Sequence, residues 1–153
     1  AQEYGKRSWV DLTASAYPYF PDYEVKPSRA IVELLRSGVP LEHITLSSDG
    51  CGSLPDFDER GNLIRLAIGQ PKSIMTELLA TVREEGLPLE QALKVVTSNV
   101  ADILKLRRKG RVAVGMDADV VLLDADDQIR HLAARGNLMV RDGVRLRRGT
   151  FEP

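Results

Sequence analysis

Seven consecutive residues, Ser47-Ser48-Asp49-Gly50-Cys51-Gly52-Ser53, gather most of the groups in this chain that could do chemistry. Asp49 offers a carboxylate, a group suited to taking up a proton and passing it on. Gly50 and Gly52 let the backbone turn sharply and approach a ligand closely, since neither carries a Cβ. The segment follows Ile44-Thr45-Leu46, an apolar run of the length expected for a short buried strand. A carboxylate just past the C-terminal end of a parallel strand lies where α/β folds place their reaction centres, because loops converge there. Spacing alone leaves Asp49 two roles, a catalytic carboxylate or a cap on the local turn.

Cys51 lies inside the same segment and invites a nucleophilic reading. A thiolate needs an activating base, and neither His43 nor His131, the two histidines of the chain, is close to it in sequence with a suitable spacing. Cys51 is therefore expected to be a bystander. His43 precedes the second strand and should lie at the end opposite Asp49, whereas His131 falls in a later β-rich stretch. Both are expected as surface or edge residues.

The elements that must position this segment can be read from periodicity. Residues 9–13 form a run of β-type residues, followed by a loop rich in Pro and Tyr (Tyr17, Pro18, Tyr19, Pro21, Tyr23). Ser28 is placed to cap a helix carrying Ala30, Ile31, Leu34 and Leu35 on one face, with Gly38 as its stop. Two strands joined by such a helix pair in parallel, because the connection crosses over the sheet. Residues 51–71 read as a long loop in which Asp58-Glu59-Arg60-Gly61-Asn62 turns between two short extended pieces. Ile74, Met75, Leu78, Leu79 and Val82 then mark a helix ending near Gly86. Pro88 opens another, with Leu89, Ala92, Leu93 and Val96 inward. Ser98 or Asn99 caps a last helix carrying Ile103, Leu104 and Leu106. From Gly110 the pattern changes to short strands at residues 112–114, 120–123, 129–133, 138–140 and 144–146. Asp142-Gly143 is the strongest hairpin turn among them.

Composition excludes several classes of function. With 153 residues, 43% hydrophobic, 28% charged and a net charge of -1, the chain has the make-up of a soluble globular protein and nothing to attract nucleic acid or an anionic membrane. Arg141, Arg145, Arg147 and Arg148 are the one basic bias, and they read as a solvated edge strand and turn. No apolar run approaches the roughly 18 residues a membrane span needs. The single cysteine excludes an internal disulfide and fits a reducing compartment, so a cytoplasmic location is expected. Residues 1–9 look like neither a signal peptide nor a chain start, as no initiator Met is present.

Thr45-Leu46-Ser47-Ser48-Asp49-Gly50-Cys51-Gly52-Ser53, followed by Phe57-Asp58 and Gly61-Asn62-Leu63, resembles the eighth-strand segment of isoaspartyl dipeptidases, zinc peptidases of the amidohydrolase superfamily. The stretch from Gly110 through Gly115 and Asp119 to Asp124 is similar to the superfamily's C-terminal signature, where the chain leaves its barrel for a β-sandwich. Arg135-Gly136, Leu138-Met139-Val140, Asp142-Gly143 and the ending Gly149-Thr150-Phe151-Glu152 also resemble the dipeptidases. The resemblance runs nearly end to end. It implies an α/β fold: residues 1–106 as the C-terminal portion of a TIM (β/α)8 barrel, then residues 107–153 as strands of a small β-sandwich. It further implies that Asp49 ligates one ion of a binuclear zinc site. Asp49 would also take the proton of the attacking water and pass it to the leaving amine. Ser53, with Gly52 beside it, would meet a substrate carboxylate, unless the Ser53 hydroxyl merely stabilises the turn. The substrate class implied is a dipeptide with a β-linked aspartate, and the family commonly assembles into homo-oligomers.

The same resemblance marks what this sequence lacks. A binuclear site of this kind needs a His-x-His pair, a bridging lysine and two later histidines. Two histidines without partner spacing and one aspartate cannot hold two zinc ions. A full barrel takes about 250 residues, and roughly two of its eight strands are here. The chain is thus expected to be the C-terminal part of the enzyme, inactive alone, with the N-terminal part as its partner. Two alternatives stand beside it: a dihydropyrimidinase- or dihydroorotase-like hydrolase of cyclic amides, and a non-catalytic scaffold.

Overall fold

Alternation along two short strands sets the first half of the structure. The computed structural model describes residues 4, 6–14 and 25–149. Strand β1 (Val10–Thr13) pairs in parallel with β2 (Ile44–Ser47), Val10 against Ile44 and Thr13 against Ser47. Side chains alternate across a strand, so Val10 and Leu12 share a face with Ile44 and Leu46. That face meets the core formed by Ala14, Ile31, Leu34, Val39, Ile44, Leu46 and Val95. The opposite face carries Asp11, Thr13, Thr45 and Ser47 and is polar. The Tyr- and Pro-rich loop expected at residues 17–23 lies outside the described residues, as does the end of the chain from residue 150.

Helix α1 (Pro27–Arg36) joins the two strands, as a parallel pair requires. It begins one residue before the expected cap. Pro27 takes the first helical position, where its fixed φ and missing N–H cost nothing, and Ser28 is buried inside the first turn rather than capping it. The Ser28 N–H instead donates to the Glu77 carboxylate at 3.0 Å. Glu77 thus serves the positive end of a neighbouring helix. The helix stops at Gly38 (φ +86), where Val39 N–H donates to Leu34 O and Gly38 N–H to Leu35 O, both at 3.0 Å. Leu34 and Val39, brought together by that stop, are both core residues.

A 3₁₀ turn (Leu41–His43) leads into β2, and the hairpin of β3 (Ser53–Phe57) and β4 (Leu63–Ile68) follows. Helices α2 (Ser73–Arg83), α3 (Leu89–Val96) and α4 (Ser98–Ile103) complete the first unit, which spans Ala1–Leu104. The inner face of α3 differs from the expected one. Ala92 is buried and Val96 packs against the core as expected, but Leu89 and Leu93 are exposed and Val95 is buried in their place, because contact with Ile44 and Leu46 turns the helix towards Val95. Pro88 stands just before α3 rather than inside it. Neither Ser98 nor Asn99 caps α4, and Ile103 and Leu104 are exposed. Asn99 is buried, and its side-chain amide donates to Leu41 O at 2.8 Å and Ile44 O at 2.9 Å.

The second unit, Lys105–Pro153, is a four-stranded antiparallel layer in the order β5 (Val120–Leu123), β6 (Ile129–Ala134), β7 (Asn137–Arg141), β8 (Val144–Arg145). Arg135-Gly136 (φ +50, +76) and Asp142-Gly143 (φ +52, +78) make two-residue turns with both residues left-handed, the geometry that matches strand twist. The strand expected at residues 112–114 does not form. Val112 and Val114 are exposed, and no described strand pairs with them to supply a ladder. Their segment is held by charge instead: Lys109 bonds both Asp117 and Asp119, and Asp119 also accepts the Arg135 N–H at 2.7 Å. The Lys109 bonds hold both carboxyls below the usual carboxylate range.

Asn99→Ala removes two buried bonds to the backbone leading into β2. The substitution is expected to cost about 1–3 kcal/mol. Thermal denaturation measures it, and an unchanged melting temperature would mean that water replaces the amide without penalty.

Candidate active site

Asp49 stands two residues beyond the end of β2, in a loop that closes on itself. Its φ of +46 is left-handed, a conformation that Asp tolerates better than most residues, and Cys51 follows at φ +67. Several bonds impose this path. Gly50 N–H donates to Ser48 Oγ at 3.2 Å and Gly52 N–H to Asp49 O at 2.9 Å. Downstream, Cys51 N–H donates to Gly69 O and Gly69 N–H to Gly52 O, both at 2.9 Å, which ties the loop to the base of the β3–β4 hairpin. Upstream, Ala14 N–H donates to Ser47 O at 2.7 Å.

The Asp49 carboxylate folds back over Gly52. A Cβ at Gly52 would stand 2.7 Å from Asp49 Oδ2 and 2.8 Å from both Cγ and Oδ1. A side chain at this position would have to push the Asp49 carboxylate aside. Ser53 opens β3 and is exposed, as are Asp49 and Cys51. The carboxylate, the glycine and the serine are brought into one exposed loop at the C-terminal end of a parallel strand.

The hairpin beyond it owes its turn to Asp58. This carboxylate accepts from Arg60 N–H at 2.9 Å, Asn62 N–H at 2.8 Å and the Asn62 side chain at 2.9 Å. The Asn62 side chain first, then backbone N–H groups, keep the Asp58 carboxyl below its usual range. The Asp58 to Asn62 motif therefore builds the turn.

His43 is separated from Asp49 by the length of β2, roughly 13 Å of strand, and packs against Trp9 in a tilted arrangement with ring centroids 5.6 Å apart. His131 belongs to the second unit, 3.7 Å from Asp142. Among the described residues no three His, Cys, Asp or Glu side chains gather as a metal would require. Asp49 alone does not fit a two-metal centre.

Two residues with a part in this region escaped the sequence reading. Asp11, in the middle of β1, accepts from Thr45 Oγ1 at 2.7 Å and Ser47 Oγ at 2.6 Å. The available signal was an acidic residue inside a β-type run. Glu77, in the apolar period of α2, is buried and lines a cavity of about 610 Å³ together with Ala14, Lys26, Lys72 and Arg83. Neither Asp49 nor Ser53 lines that cavity, and the Lys26–Glu84 ion pair (2.6 Å) lies in its wall.

The amidohydrolase family profile matches residues 17–145. The chain belongs to the amidohydrolase family. Its α/β fold is shared with a β-aspartyl dipeptidase of Fervidobacterium islandicum AW-1, solved in complex with a β-Asp-Leu dipeptide. That structure is 37% identical over 98% of this chain with a TM-score of 0.80. A dihydroorotase of Halobacterium salinarum is 44% identical over 50 residues, 33% of this chain, and an allantoinase of Deinococcus radiodurans is 27% identical over 78% of it. The chain spans 38% of the dipeptidase, 12% of the dihydroorotase and 31% of the allantoinase. Gly52 is a position where a single methyl group tests the loop geometry. Gly52→Ala is expected to push the Asp49 carboxylate aside. A crystal structure of the variant with Asp49 unmoved would contradict this.

Proposed function

We propose that this chain is part of a zinc-dependent dipeptidase that hydrolyses the β-aspartyl isopeptide bond of dipeptides. The observation that carries the reading is 37% identity, spread over 98% of the chain, to a β-aspartyl dipeptidase. The position of Asp49 past the end of β2 supports it. In this reading, residues 1–106 supply the last strands and helices of a (β/α)8 barrel and residues 107–153 part of a β-sandwich. The remaining metal ligands come from polypeptide beyond these 153 residues, and the complete enzyme works in the cytoplasm as a homo-oligomer.

The Asp49 carboxylate accepts a proton from water as its oxygen attacks the isopeptide carbonyl. It returns that proton to the amine nitrogen as the C–N bond breaks, so the carboxylate ends as it began. Asp49 would be a ligand of one zinc ion, and the bound metal would make the attacking water more acidic. Ser53 and Gly52, at the mouth of the same loop, receive a carboxylate of the substrate.

A second reading, hydrolysis of a cyclic amide, is favoured by the dihydroorotase and allantoinase matches. Activity on dihydroorotate or allantoin, with none on β-aspartyl dipeptides, would select it.

Asp49→Asn keeps the size of the side chain but cannot accept the proton. Turnover of β-Asp-Leu by the complete enzyme is expected to fall at least about 10²–10⁴-fold. Near-normal turnover by a folded variant would remove Asp49 from the mechanism. Ser53→Ala should mainly raise KM, since a substrate carboxylate is held alike in ground and transition states. An unchanged KM with a lower melting temperature would leave Ser53 as a turn residue. Residues 1–153 expressed alone are expected to show no dipeptidase activity and no stoichiometric zinc. An active, zinc-loaded preparation would exclude the need for further polypeptide.

A further inference from the structure

The polar face of the β1–β2 pair holds a charged residue with no part in the reaction as described. Asp11 stands opposite Thr45 in the parallel register. Its two carboxylate oxygens are divided between two hydroxyls of β2, Oδ1 accepting from Thr45 and Oδ2 from Ser47. At 2.7 and 2.6 Å these are within the range of charge-assisted O–H bonds, about twice as strong as neutral ones. We propose that Asp11 is a positioning residue for Asp49, acting through Ser47. This inference rests on the reading of Asp49 as the proton-transferring carboxylate.

The chain of causes is short. Ser47 is the last residue of β2, and it is gripped twice, by Asp11 of β1 at its hydroxyl and by the N–H of Ala14, just past β1, at its carbonyl. The next four residues form the loop of Asp49. Two of them, Asp49 and Cys51, are left-handed without being glycine, a conformation that persists only where surrounding structure imposes it. The downstream end of the loop is held by Gly69. The upstream end is held at Ser47, and Asp11 supplies the charged half of that grip. Asp49 thus projects from a loop clamped at both ends, with Gly52 leaving room for its carboxylate.

In the complete enzyme, Asp11→Ala is expected to lower kcat for β-Asp-Leu by about 10- to 100-fold, the range seen when a supporting partner of a site residue is lost. KM should change little, because Asp49 geometry matters most in the transition state. Asp11→Asn, whose amide keeps one acceptor and can donate to the second hydroxyl, should lose less. Ser47→Ala should match Asp11→Ala, and the double variant should be no worse than the more damaging single one, as expected for one shared interaction. Wild-type kcat in Asp11→Ala with only a lower melting temperature would overturn the proposal, as would additive losses. If Asp11→Ala does not fold, Asp11→Asn and Ser47→Ala decide the matter alone. Amide exchange at Gly50 and Gly52 gives a readout independent of turnover: it should quicken in Asp11→Asn and Ser47→Ala. Unchanged exchange would remove the clamp, whatever the kinetics. An active Asp49→Asn variant, by contrast, would count against the catalytic reading of Asp49 and leave the clamp to be judged by exchange.

Discussion

Val10 stands against Ile44 and Asp11 against Thr45 because β1 and β2 pair in parallel with a single register, and most of the first unit depends on that pairing. A slip of one residue would turn Ile44 and Leu46 towards the polar side and bring Thr45 and Ser47 into the core. Burial of Ile31, Ile44 and Val95 holds the register from one side. The Asp11 bonds to Thr45 and Ser47 hold it from the other. The loop of Asp49 begins where this doubly specified strand ends, so its carboxylate inherits a defined starting point.

Buried polar groups, as well as apolar contact, set how the helices meet that sheet. Asn99 satisfies two carbonyls at the entry to β2, and Glu77 satisfies the first turn of α1. Each lies inside an otherwise apolar surface, where an unmet bond would be expensive. Such groups restrict the helices to the few placements in which the bonds can be made. The same demand explains why Ser28 does not cap α1: Pro27 sets the start, and a carboxylate from α2 reaches the free N–H.

The second unit is organised differently. None of its described residues, 105–149, is fully buried, and Val121, Leu122, Leu123 and Ile129 remain exposed. Turn chemistry and surface charge therefore specify much of its shape. Left-handed pairs at Arg135-Gly136 and Asp142-Gly143 fix two hairpins. The Asp117 and Asp119 carboxylates, joined to Lys109, fold the preceding segment and fasten it to the first hairpin turn through Arg135 N–H.

Local chemistry made much of this legible in the sequence. Strand β2 and the aspartate-glycine loop after it, the turn at Asp58, the stop at Gly38 and the Asp142-Gly143 hairpin each depend on residues a few positions apart, whose conformational preferences act before any tertiary contact. The family resemblance rested on the same local segments. Other features were decided by distant partners. The buried side of α3 follows Val95 into the core rather than Leu89 and Leu93. Residues 112–114 have strand-like composition but no described ladder partner, and backbone hydrogen bonds make a strand only in pairs. Ser28 and Asn99 read as caps, yet Ser28 meets Glu77 through its backbone N–H and the Asn99 amide goes to the carbonyls of Leu41 and Ile44. Asp11 reads as an ordinary polar strand residue until the parallel register sets it beside Thr45 and Ser47, 34 and 36 positions away. The sequence by itself determined where the chain turns and which loop carries the carboxylate. Only the tertiary structure decided which side chains hold that loop, because those bonds join residues whose nearness exists only once the strands have paired.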